Sequence, residues 1–226
     1  MFQRLTENTS AAQCRFLIQQ ILDRREPAAC PLLLEYLQTC SDVMVISFLT
    51  KNLGIHFPEE NLVPTLKNYL KHPDDRVVAN TIEGLEAMGK AESFVVLAQM
   101  LSHPSHRVQA NAAKALARFD LAVSHDMLMK MLRQDSRPHF IIAACKAIRG
   151  TRDVHFLPQL VLLAGHELVG PDAQEAITAL GGVPALTNLQ KSVDELTDPE
   201  EKERLTAAIA ACRERLAPLE EAPPSA

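Results

Sequence analysis

The sequence predicts an all-α chain, a solenoid of about six stacked helix pairs closed by a capping helix at each end. Three observations predict it. Leu and Ala dominate the 226 residues while aromatics make up 4% and Trp is absent. That mix suits close-packed helices better than sheets, which draw on aromatic and β-branched residues. A triplet of polar, small, then large aliphatic residue recurs and places Ile21, Leu53, Leu85, Leu116, Ile148 and Leu180 at successive spacings of 32, 32, 31, 32 and 32. Turn chemistry interrupts the pattern at regular intervals, as a stack of short helices requires.

The elements follow in order. Residues 1–27 form an N-terminal cap, with a helix over 11–24 that turns Phe16, Leu17, Ile18 and Ile21 toward the first pair. Residues 28–196 hold the repeats, whose first helices fall near 31–38, 62–70, 94–101, 127–132, 156–163 and 183–189. Ser41-Asp42, Pro73-Asp74-Asp75, Pro104-Ser105, Asp135-Ser136 and Gly170-Pro171-Asp172 precede the second helices. Asp and Ser accept from free N–H groups there, and Pro preorganises a first turn. Gly54, Gly89, Gly150 and Gly181 stand where helices should stop, in the left-handed capping position. Residues 197–216 form a C-terminal capping helix opened by Asp198-Pro199, and 217–226 read as a flexible tail or linker, with further domains expected beyond.

Each column of the repeat has a physical reading. Leu53, Leu85, Leu116, Ile148 and Leu180 are core knobs, with Thr50, Ile82, Ala113, Cys145 and Ile177 three residues earlier on the same face. Gly84, Ala115, Ala147 and Ala179 directly precede the knobs and let a neighbouring helix come close; Asn52 breaks that column. Lys51, Glu83, Lys114, Lys146 and Thr178 lie roughly 200° round the helix and should face solvent.

The segment His72-Pro73-Asp74-Asp75-Arg76-Val77-Val78-Ala79-Asn80, echoed by His103-Pro104-Ser105-His106-Arg107-Val108-Gln109-Ala110-Asn111, resembles the start of the second helix in HEAT repeats. More narrowly it is similar to the short repeats named after phycobilisome lyases. The resemblance implies a right-handed α–α superhelix, armadillo-like in architecture, whose second helices line a concave face. It is nearly silent on activity.

The sequence carries no recognisable catalytic pattern. A helical-repeat metal hydroxylase would show several His-Glu pairs; this chain has His166-Glu167 alone. A helical-repeat glycosylase needs a basic, aromatic-lined cleft, whereas the net charge here is −5. A bilin lyase would need a Cys or His to handle the tetrapyrrole, and no spacing nominates one. His72 and His103 follow the repeat and read as helix-end capping. Cys14, Cys30, Cys40, Cys145 and Cys212 show no CxxC spacing and read as core residues in a reducing compartment. No apolar run is long enough to cross a bilayer. The sequence therefore predicts a cytoplasmic protein that is not an enzyme and carries no cofactor or metal.

Charge suggests a site. Residues 107–152 carry nine Lys or Arg against three Asp or Glu, while 153–196 carry one against six. With second helices on the concave face, Lys114, Arg118, Lys146 and Arg149 would meet a partner at mid-groove, flanked by Asn80, Glu83 and Asn111. The expected function is a protein–protein interaction scaffold or regulatory docking module that holds an acidic segment of a protein partner. Arg76, Arg107 and Arg137 read instead as stitches between repeats. The alternatives are a lyase-type subunit or chaperone acting on a chromophore protein, and a nucleic-acid module. The acidic C-terminal third opposes a long polyanion and disfavours the last.

Overall fold

The computed structural model describes residues 10–24, 26–133 and 137–220. Every regular element among them is helical: α1 (Ala11–Asp23), α2 (Ala29–Thr39), α3 (Val43–His56), α4 (Val63–Tyr69), α5 (Asp75–Met88), α6 (Phe94–Gln99), α7 (His106–Leu116), α8 (Leu121–Leu132), α9 (Pro138–Ile148), α10 (Leu157–Leu163), α11 (Gly170–Ala179), α12 (Gly182–Asp194) and α13 (Pro199–Glu220). Short 3-10 turns lead into α6 and α10 (Ala91–Ser93 and Val154–Phe156) and extend α6 (Met100–Ser102). The order is a cap followed by six first-helix, second-helix pairs. The chain forms two compact units, Met1–Val123 and Ser124–Ala226.

Local chemistry sets the helix starts in the first unit. Ser10 and Gln13 form a reciprocal capping box on α1. Asp42 accepts from the N–H groups of Met44 (2.8 Å) and Val45 (3.1 Å), and Asp74 accepts from that of Arg76 (2.9 Å). His72 and His103 act by another route than helix-end capping. Each accepts, through Nδ1, the N–H two residues on (Asp74 at 3.0 Å, Ser105 at 3.1 Å), closing the turn before a second helix. The expected turn at Asp135-Ser136 lies outside the described residues.

The knobs are buried as the periodicity predicts. Leu53, Leu85 and Leu116 are fully inside the first unit, and Ile148 and Leu180 inside the second. Pro138 occupies the first turn of α9, where its missing N–H costs nothing. None of the five cysteines is in a disulfide among the described residues, and four of them are buried. Burial pushes Cys30 up to about 11 and Cys145 up to about 12, so they pack as small apolar groups.

Two expected glycine caps are corrected. Gly54 lies inside α3, where an added Cβ would fall 2.2 Å from the Gly84 carbonyl oxygen. It is a helix-crossing residue: α3 and α5 touch backbone to backbone. Gly150 has no positive φ; Arg152 takes the left-handed conformation in that loop (φ 58°). Gly89 (φ 61°) and Gly181 (φ 117°) adopt positive φ as expected. The C-terminal helix also runs past 216 to Glu220, and 221–226 lie outside the described residues.

Gly84→Ala should test the crossing, since its Cβ would lie 2.3 Å from the Thr50 carbonyl oxygen. The clash outweighs the gain in helix propensity, so the variant should lose about 2 kcal/mol in urea unfolding. An unchanged midpoint would mean that the helices do not pack this closely.

Candidate functional site: the polar face of the second helices

The cations nominated by the sequence all project from second helices or their ends, and each already has a partner one repeat away. In the first unit Lys114 Nζ lies 3.1 Å from Glu86 Oε2. Arg118 donates through Nη1 to the Glu86 carbonyl at 2.6 Å, and its guanidinium covers Gly89. It thereby caps the C-terminal carbonyls of α5 from the following repeat, a favourable place for a cation. In the second unit Lys146 Nζ lies 3.6 Å from Asp172 and Arg149 Nη1 2.6 Å from Glu175.

The polar flanks join the same lattice. Asn80 donates to the Ser47 carbonyl (3.3 Å) and hydroxyl (2.7 Å) and accepts from Arg107 (3.1 Å). Asn111 repeats the pattern, donating to the Ala79 carbonyl (3.2 Å) and to Glu83 (2.9 Å). Glu83 also pairs with Lys51 at 2.6 Å. Asn80 and Asn111 thus tie consecutive second helices at equivalent points. Of the three expected stitching arginines, Arg107 reaches the preceding repeat through Asn80. Arg76 holds its own Asp74 and touches Met44 Sδ at 3.3 Å, and Arg137 sits over the Phe140 ring at 5.4 Å.

Exposure separates the two units. The Lys114–Glu86 side chains are 27% and 20% exposed, whereas Lys146 is 61% exposed and the Arg149–Glu175 pair 44% and 61%. Exposed pairs of this kind contribute ~0.2–1 kcal/mol and exchange readily with other charges.

The sequence reading missed the carboxylates. Glu86 stands 28 residues from Lys114, and Asp172 and Glu175 stand 26 from Lys146 and Arg149, four to six residues short of the repeat. A search for opposite charges at that offset would have found them. It also missed a cluster in the second unit, where one carboxylate serves two imidazoles. Asp153 Oδ2 lies 3.0 Å from His125 Nδ1, and Oδ1 lies 2.7 Å from His155 Nδ1 and 3.0 Å from the His155 N–H. His125 stacks on Phe156 with centroids 4.6 Å apart. Burial works against ionising Asp153, but the donors from His155 and His125 outweigh it and hold the carboxyl below its usual range. The His166-Glu167 pair is a turn, with His166 Nδ1 accepting the Leu168 N–H at 3.1 Å.

The profile of the HEAT repeats matches twice, over residues 30–107 and 95–181. No curated protein matches the chain. Among solved structures, the complex of CpcE and CpcF of phycocyanin lyase from Nostoc sp. PCC7120 contains a chain that superposes with a TM-score of 0.57 at 17% identity, over 92% of this chain and 76% of that one. This overturns the expectation that the chain is not an enzyme, because the same helical architecture serves in a lyase complex. Packed repeats and the lack of a catalytic motif were insufficient grounds for it. Among the described residues no helix is long and apolar enough to cross a membrane.

The Asp153 cluster predicts an acid-sensitive contribution to stability. A carboxyl depressed in the folded state stabilises fully above its unfolded value, ordinarily 3.8, and progressively less as pH falls through the folded value. Asp153→Asn should therefore flatten the decline in melting temperature below about pH 4. An unchanged acid profile would show that the cluster is not held in the folded protein.

Proposed function

We propose, from the premise that this chain belongs to the HEAT-repeat family, that it is a protein-docking module working through the polar face of its second helices. The observation that carries the reading is the exposed, exchangeable charge of Lys146 and Arg149. Their ion pairs are thin in water, so a partner's carboxylates can replace Asp172 and Glu175 at little cost. An acidic segment is the chemistry that fits. In the first unit Lys114, with Asn80, Glu83, Asn111 and Arg118, holds consecutive repeats in register. The CpcE and CpcF structure supports the reading to the extent that its architecture works in a complex of two proteins.

A second reading has its own support in that structure: the chain is a subunit of a lyase-type assembly acting on a chromophore protein. Freshly purified material would then carry an absorption band above the protein region, and a spectrum separates the two readings cheaply.

The docking reading is tested with Lys146→Glu/Arg149→Glu, both on an exposed face. Affinity for an acidic partner segment should drop at least about tenfold, and the loss should shrink at high salt, with helicity and melting temperature unchanged. Retained affinity in the double variant removes this face as the site.

A further inference from the structure

The second unit also contains a cleft between two first helices, on elements that the docking reading does not use. One face of α12 carries Ala185, Asn188, Leu189 and Ser192, at helical spacings of three, one and three. Opposite it stand Val154, Leu157 and Pro158, from the turn before α10 and its first residues. The space between has a volume of about 580 Å³, the size that takes a small organic ligand. Buried Leu157 and Leu180 form an apolar floor. Gly181 keeps one end open: its φ of 117° is a conformation that residues with a Cβ avoid, so no side chain fills the space there.

The lining is graded along α12. Leu180, Gly181, Pro184 and Ala185 make one end, with no polar side-chain atom among them. Asn188 and Ser192, one turn apart and both exposed, make the other. From Gly181 to Ser192 the helix rises about 16 Å. An amide and a hydroxyl each donate and accept, so a hydroxyl, carbonyl or amide on a ligand finds a complement there in either sense. Among the described residues the lining holds no Asp, Glu, Lys or Arg. His155, its one titratable side chain, is bonded through Nδ1 to Asp153 and is 82% exposed, which places it in water rather than against a ligand's body. An ionised group drawn into the cleft would therefore lose water without gaining a counter-ion.

We propose that this cleft binds an uncharged small molecule with an apolar body and a single polar head, the head against Asn188 and Ser192 and the body lying toward Leu180 and Gly181. A second polar group at the far end of the body would be buried among side chains that cannot bond it. The site stands whether or not the second-helix face docks a protein.

Fluorescence titration of the whole chain with phenylnaphthylamine, an uncharged apolar dye, followed by displacement with aliphatic alcohols at neutral pH, tests the idea. The dye should bind saturably at one site. Decanol should displace it about tenfold more tightly than octanol, through the two further methylenes it buries. Decanediol, with a hydroxyl at each end, should be at least about tenfold weaker than decanol, and decanoate and decylammonium should both be weaker than decanol as well. Ala185→Phe should abolish dye binding by filling the apolar end; Asn188→Phe, at an exposed position where folding is not at risk, should do the same from the middle of the cleft. No saturable dye binding would overturn the assignment, as would the diol or either ion binding as tightly as decanol, or dye binding that survives both variants.

Discussion

The backbone contact between α3 and α5 sets the spacing that the rest of the first unit obeys. With Gly54 and Gly84 facing each other, the helices approach until only main chain separates them. Side chains of consecutive second helices then fall within reach at a fixed offset. Asn80 finds the Ser47 carbonyl and Asn111 the Ala79 carbonyl, and Arg118 covers the end of α5 over Gly89. A larger residue at the crossing would push α3 and α5 apart and lengthen the Asn80–Ser47 bonds between them. The polar lattice is a consequence of the apolar and glycine packing beneath it, since hydrogen bonds of this kind add little net stability until burial has placed them.

Pairing across repeats also explains why a charge count by segment misleads. The excess of cations over 107–152 looks like a basic belt when only the chain is read. In the folded units Lys114, Lys146 and Arg149 face carboxylates contributed by other segments. What distinguishes them is exposure. Half-buried Lys114 and Glu86 are screened little and are suited to holding register. Lys146 and Arg149, more exposed than Lys114, keep their partners loosely and are suited to trading them. The same residue type at the same helical column can therefore be scaffold in one repeat and recognition surface in another.

The fold was legible because two periods coincide: 3.6 residues along each helix and 32 along the chain. Leu85, Leu116 and Ile148 satisfy both, so burial at those positions follows from spacing alone. Gly54 was misread because a glycine late in a helical pattern serves equally as a cap or as a crossing point. Only the position of the neighbouring helix decides which. The helix through Glu220 outran a composition-based boundary because prolines and acidic residues weaken a helix without marking where it ends. The site was half legible. Its cations follow the repeat, but their carboxylates sit four to six residues out of register. The Asp153 cluster joins residues 28 apart that share no column.

That cluster bears on what these repeats can do chemically. A histidine on a solenoid surface is ordinarily free to turn, and either ring nitrogen can face solvent. His72, His103 and His166 are each fixed through Nδ1 as acceptors of a backbone N–H, which requires the proton on Nε2. His125 and His155 face an ionised carboxylate and so carry a proton on Nδ1. Within one chain the turn histidines are held as acceptors and the Asp153 pair as donors, both through Nδ1. The first kind is bound to the repeat and does the same work wherever it recurs. The second depends on a carboxylate outside the repeat pattern, so it marks the place where this chain departs from being only a stack of helices.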